Sequence, residues 1–103
     1  MRGITTVLRD YELVFIAVPQ LDDQGVATLT GRVSGWITAA GGEIVSSNVW
    51  GRRPLAYAIG KHKEGTYVQL DIQLAPSATR ELDRSLRIDE QIIRHLLVHP
   101  DEQ

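Results

Sequence analysis

The sequence has no cysteine, which excludes disulfides and thiolate metal sites and fits a reducing compartment. It has no long apolar run either. The longest, Leu13 to Val18, is six residues, against the ~20 that a membrane-spanning helix needs. The opening stretch MRGITTVLRD lacks the apolar centre of a signal peptide. A cytoplasmic protein without a membrane partner is expected. Positive charge is scarce as well. Eleven Lys and Arg stand against 13 Asp and Glu, for a net charge of -2 and a pI near 5.9. This argues against a protein that coats nucleic acid unaided, because phosphate binding is largely electrostatic, but it leaves room for a local basic patch.

Such a patch is present. Residues 50 to 63, WGRRPLAYAIGKHK, hold Arg52, Arg53, Lys61 and Lys63 and no acidic residue. The remainder of the chain keeps 7 basic and 13 acidic residues, or -6. The total of 103 residues suits one domain spanning 1–103, with residues 1–8 a loose leader and 100–103 a short tail. With 43% hydrophobic and 23% charged residues the chain is of the globular class. At this length it can bury roughly two thirds of its unfolded surface.

The hydrophobic pattern predicts the elements. YELVFIAV, residues 11–18, is aromatic and β-branched and stops at Pro19, a strand apolar on both faces. Asp22 or Asp23 caps a helix whose face is Val26, Leu29, Val33, Trp36 or Ile37, and Ala40. Gly41-Gly42 ends it. Residues 43–50 and 55–59 read as one long strand bent near Gly51, and Pro54 marks it as a sheet edge, since proline cannot donate to an inner ladder. GKHKEG, residues 60–65, reads as a turn. In YVQLDIQL, residues 67–74, Val68, Leu70, Ile72 and Leu74 face one way and Tyr67, Gln69, Asp71 and Gln73 the other. Pro76-Ser77 opens a second helix with Ser77 as its cap and Ala78, Leu82 and Leu86 as its face. Ile92 to Val98 is the last strand, closed by Pro100.

The order β-α-β-β-α-β gives an α+β, ferredoxin-like fold. Its antiparallel four-stranded sheet has order 4-1-3-2 and carries both helices on one face. The other face is open, and Val14, Ile16, Leu96 and Val98 are expected to form an exposed apolar strip there, an arrangement that usually awaits a partner.

No catalytic constellation emerges. His95 and His99 share a strand face but lie about 13 Å apart at ~3.3 Å per residue, too far for one metal ion. His62 sits between lysines in a turn. Asp22-Asp23 reads as a helix start, and Gly41-Gly42 lacks the lysine of a phosphate loop. Asn48 and Arg52 could serve a small phosphatase of this fold, but the sequence does not bring them together. No cofactor, metal or small-molecule substrate is expected. The basic stretch, by contrast, has phosphate-matching arginines, with Trp50, Tyr57 and Tyr67 interleaved or close by. A ligand-binding or oligomerising module is the competing reading, and it has no need of that stretch.

Three segments resemble the bacterial small-subunit (30S) ribosomal protein S-six family. They are DYELVFIAVPQLD, WGRRPLAYAIGKHKEGTYV and LDRSLRIDEQIIRHLLV, and the likeness runs over about residues 8–99. The chain departs from the family pattern in about eight residues ahead of the first strand, in Ala58 where proline is common, in Pro54 where a polar or basic residue is usual, and in stopping soon after the fourth strand. The resemblance implies a structural role in the small subunit, a heterodimer with ribosomal protein S-eighteen, and joint binding to the central domain of 16S ribosomal RNA. The expected RNA contacts are Arg52, Arg53, Lys61 and Lys63, supported by Arg9, Arg87 and Arg94. The expected partner contacts are Val14, Ile16, Tyr67, Gln69, Leu96, Val98 and Trp50.

Overall fold

Period-two alternation places Leu13, Phe15 and Ala17 of β1 (Arg9–Ala17) and Val68, Leu70, Ile72 and Leu74 of β3 (His62–Leu74) on one face of the sheet. In the computed structural model, which describes residues 7–100, these side chains are buried beneath two helices. Most of the expected leader and tail, at residues 1–6 and 101–103, lies outside the described residues. The register pairs Leu13 with Leu70 and Phe15 with Val68. With β2 at Glu43–Ile59 and β4 at Ile92–Val98, the sheet order is β2-β3-β1-β4, with every pairing antiparallel, which is the expected ferredoxin-like order read from the other edge.

Helix α1 (Asp23–Ala39) starts where Asp22, in extended conformation, accepts a hydrogen bond from the Gly25 N–H at 2.7 Å. Its spacing of three and four brings Val26, Leu29, Val33 and Ile37 onto the sheet. Arg32 leaves the exposed flank of α1 to grip both carboxylate oxygens of Asp89 at 3.0 and 3.1 Å and to donate to Gln91 at 2.8 Å. That fork ties α1 to the turn before β4 (Ile92–Val98).

The second helix departs from expectation. Ser77 does not cap it. Residues Pro76–Ala78 form a single 3₁₀ turn, and α2 (Thr79–Ile88) follows without a side-chain cap. The Thr79 hydroxyl donates to the Pro76 carbonyl at 2.8 Å instead. Leu82 and Leu86 still complete the core.

β2 (Glu43–Ile59) is the expected long edge strand, and only residues 60 and 61 separate it from β3, so the turn is shorter than GKHKEG. Its ladder shifts register between Ile44 and Ser46, between Val49 and Gly51, and between Pro54 and Ile59. Gly51 bends the strand at φ 99°, a backbone region that other residues enter only at a cost. The last shift is the largest, setting Leu55, Ala56, Tyr57 and Ala58 opposite Lys63 alone. The hairpin makes another close approach at Gly65, where a Cβ would fall 2.4 Å from Ile16 Cγ2 and 2.8 Å from the Ala17 carbonyl.

Candidate nucleic-acid and partner interface

The helix-free face of the sheet carries a side-chain network built outward from β3. Gln69 lies between Val14 of β1 and Asn48 of β2. Its amide donates to Glu12 and to Asp71, each at 3.1 Å, and its carbonyl oxygen accepts from the Trp50 indole N–H at 3.1 Å. Asp71 also accepts from the Ser46 hydroxyl at 2.7 Å. The amide thus uses both donors and its acceptor, and Trp50 is held parallel to Tyr67, with 6° between planes and 6.0 Å between ring centres. The Arg53 guanidinium lies 5.4 Å from the Trp50 ring centre. Beside this stack runs an open groove of about 540 Å³, lined by Glu12, Val14, Ile16, Trp50, Tyr67, Arg94, His95 and Leu96.

The expected apolar strip needs one correction. Leu96 is 60% exposed, and Val14 and Val98 are half-buried, but Ile16 is only 8% exposed. The four-residue bulge explains this. Leu55 and Tyr57 line a small cavity with Ile16, Tyr67 and Arg94, and Gly65 packs against Ile16 from β3. Arg94 reaches across from β4 to donate to the Tyr57 hydroxyl at 3.0 Å, with its guanidinium 5.7 Å from that ring's centre.

The basic side chains divide between the two faces. Arg53 addresses the open face. Arg52 pairs in register with Thr66, donates to the Pro19 carbonyl at 2.7 Å, and lines a groove beside the start of α1. Lys61 and Lys63 are exposed at the hairpin tip. Arg94 joins Arg53 on the open face. Arg9 and Arg87 are not brought to this group. Arg9 lines a depression with Tyr11, Pro76 and His99, and Arg87 is on α2, paired with Asp83 one turn earlier.

Asn48 lies opposite Gln69 on the open face and Arg52 opposite Thr66 on the other, so the pair that a small phosphatase would need is split across the sheet. His95 turns toward α2, where its Nε2 lies 2.6 Å from Asp83, and His99 meets Tyr11 edge-on. Among the described residues, no three His, Asp or Glu side chains converge as metal ligands.

The His95 hydrogen bond holds the Asp83 carboxyl below the usual carboxylate range. Burial pushes the other way, and the charges of His95 and Arg87 add to the lowering. A carboxyl whose pKa is lower in the folded chain than in the unfolded one contributes stability above about pH 4, and this is lost as pH falls through the folded value. The difference in urea midpoint between the parent and Asp83→Asn should therefore narrow as the pH is taken from about 5 toward about 2. A difference that stays constant over that range would detach the carboxylate's charge from stability.

The family model described as "Ribosomal protein S6" matches residues 10–99. The chain is 42% identical over 91 residues to the small ribosomal subunit protein bS6 of Clostridium acetobutylicum, covering 88% of this chain and 96% of that one. It is 40% identical over 96 residues to the protein of the same name from Micrococcus luteus, covering 93% and 95%. Its structure matches the crystal structure of 30S ribosomal protein S6 from Thermotoga maritima with a TM-score of 0.85 at 28% identity, covering 92% and 90% of the two chains.

Proposed function

The chain belongs to the ribosomal protein S6 family, and from that footing we propose that it binds the central domain of 16S ribosomal RNA as a heterodimer with ribosomal protein S-eighteen. As a member of this family it is a structural constituent of the small ribosomal subunit, in the cytoplasm, and not an enzyme. The whole chain acts in this role as one domain.

The observation that carries the RNA reading is the pair of arginines on the open face. Arg53 and Arg94 are each held over an aromatic ring, next to Arg52 and the exposed Lys61 and Lys63, in a chain otherwise acidic. Guanidinium groups braced in this way suit phosphate, and their concentration at one end of the sheet lets a net-negative protein approach RNA. Arg9 and Arg87, on the helix-bearing side, would meet a separate RNA segment. The protein partner takes the groove lined by Val14, Trp50, Tyr67 and Leu96, with Val98 at its margin. Ile16 and Gln69 support that surface from beneath.

Two measurements test the reading. The tagged chain added to cytoplasmic extract should sediment with small subunits and leave them only at high salt. Sedimentation that is absent, or indifferent to salt, would remove the RNA role. For the partner surface, Leu96→Asp should leave the fold intact, because Leu96 is exposed, and should weaken heterodimer formation by at least about tenfold by burying an unpaired charge. Unchanged dimer affinity, measured by calorimetry, would move the partner elsewhere.

A further inference from the structure

We propose that Tyr57 is the positioning residue for Arg94 and that the bulge at residues 55–58 exists to bring it there, a role that rests on the RNA reading above. β2 and β4 lie at opposite edges of the sheet, separated by β3 and β1. A regular β2 would keep Tyr57 in its own edge ladder. With four residues facing Lys63 alone, the strand instead arches over the open face, and Leu55 and Tyr57 close over Ile16. Tyr57 then meets Arg94 in two ways: its ring lies beneath the guanidinium at 5.7 Å, and its hydroxyl accepts from Nη1 at 3.0 Å.

The arrangement leaves Tyr57 62% exposed, so its ring and hydroxyl stay at the surface beside Arg94. Its consequence falls on Arg94. A free arginine on a strand surface samples many rotamers and must be ordered when a phosphate arrives. Here much of that ordering has already taken place in the unbound chain. The Nη1 bond uses one of the guanidinium's five donors, so the remaining edge can still form a two-pronged contact with a phosphate. Positioning of this kind changes affinity without changing the number of charges that meet RNA.

That distinction sets the experiment. Binding to protein-free 16S ribosomal RNA, with ribosomal protein S-eighteen present, is measured across a salt series for Tyr57→Ala, Tyr57→Phe, Arg94→Gln and the Tyr57→Ala/Arg94→Gln double variant. Thermal unfolding of each variant checks that the fold persists. Tyr57→Ala should weaken binding by about 2- to 12-fold, the range for ordering one flexible side chain, with the salt slope unchanged. Tyr57→Phe, which keeps the ring, should lose less. Arg94→Gln should weaken binding and lower the slope by about 0.9. In the Arg94→Gln background, removal of Tyr57 should cost nothing more. In the free protein, the Arg94 Nε–H resonance should be displaced by the Tyr57 ring current and return to the ordinary position in Tyr57→Ala.

Tyr57→Ala binding like the parent while Arg94→Gln binds weakly would overturn the positioning role and leave the RNA reading standing. An equal loss from Tyr57→Ala with and without Arg94 would make Tyr57 a direct RNA contact and also overturn it. If Arg94→Gln changes neither affinity nor slope, Arg94 is no phosphate contact and the proposal falls at its base. If even the parent fails to bind the RNA, the failure belongs to the RNA reading.

Discussion

Leu70→Ala should lower the unfolding free energy by about 2–5 kcal/mol, the range for removing a large buried aliphatic side chain. Leu70 has no exposed surface. It sits in β3, one of the two central strands, opposite Leu13 on one side and Ser47 on the other. Strands hydrogen-bonded on both sides hold the backbone in place, so the walls cannot collapse into the void, which favours the upper half of the range. A domain of this size is stable by roughly 5–15 kcal/mol in total, so the variant loses a large share of its margin. Its melting temperature should fall by at least about 8 °C. Guanidinium titration checks the free energy, with an unchanged slope showing that the unfolded state is the same. A loss under about 1 kcal/mol would mean that Leu70 lies on the wrong face and that the whole register of β3 is in error. Leu96→Asp, on the exposed face, is the matched control.

Replacing Arg52 and Arg53 together by Ala should flatten the dependence of log affinity on log salt by up to about 2 units, since each phosphate contact contributes about 0.9. At about 0.1 M salt this corresponds to a loss of RNA affinity on the order of 10- to 100-fold. The two side chains address opposite faces of β2, so they would clasp the RNA from both sides of the sheet edge. The measurement needs the protein partner present, because a chain of net charge -2 meets RNA weakly by itself. Stability should change little, as both residues are exposed. A double variant that folds, dimerises and keeps the parent's salt slope would reassign these arginines: Arg52 to its bond with Pro19, and Arg53 to bracing Trp50.

The parts of the fold legible in the sequence are those governed by a single period. The alternation of Val68, Leu70, Ile72 and Leu74, the three-and-four spacing of Val26, Leu29, Val33 and Ile37, and the Asp22 cap each follow from local geometry. Pro54 correctly marked an edge. The misses involve choices between nearly equal local structures or long-range closure. Ser77 competes with a 3₁₀ turn that proline opens equally well. LAYAI reads as a plain strand, and nothing within five residues says that four of them will face one partner residue. The burial of Ile16 follows from that bulge, so it was invisible too. Within the candidate site, the basic hairpin was legible as a charge cluster. The separation of Arg9 and Arg87 from it depends on which face each residue takes. For Arg87 a signal was present, since Asp83 lies four residues earlier on the same helix, where the two side chains meet.

The three register breaks of β2 have a consequence before the protein reaches any partner. An outer strand with a regular row of free N–H and C=O groups invites the same strand of another molecule to pair with it, and repeated pairing leads to aggregates. Here the strand's regularity is broken at Val45, at Trp50 and from Leu55 to Ala58, and Pro54 offers no N–H at all. The longest regular stretches left, Ser46–Val49 and Gly51–Pro54, are four residues each, and short edge segments pair poorly with another chain. The same irregularity that aims side chains at the open face therefore also makes this border a poor template for a strand of a second molecule.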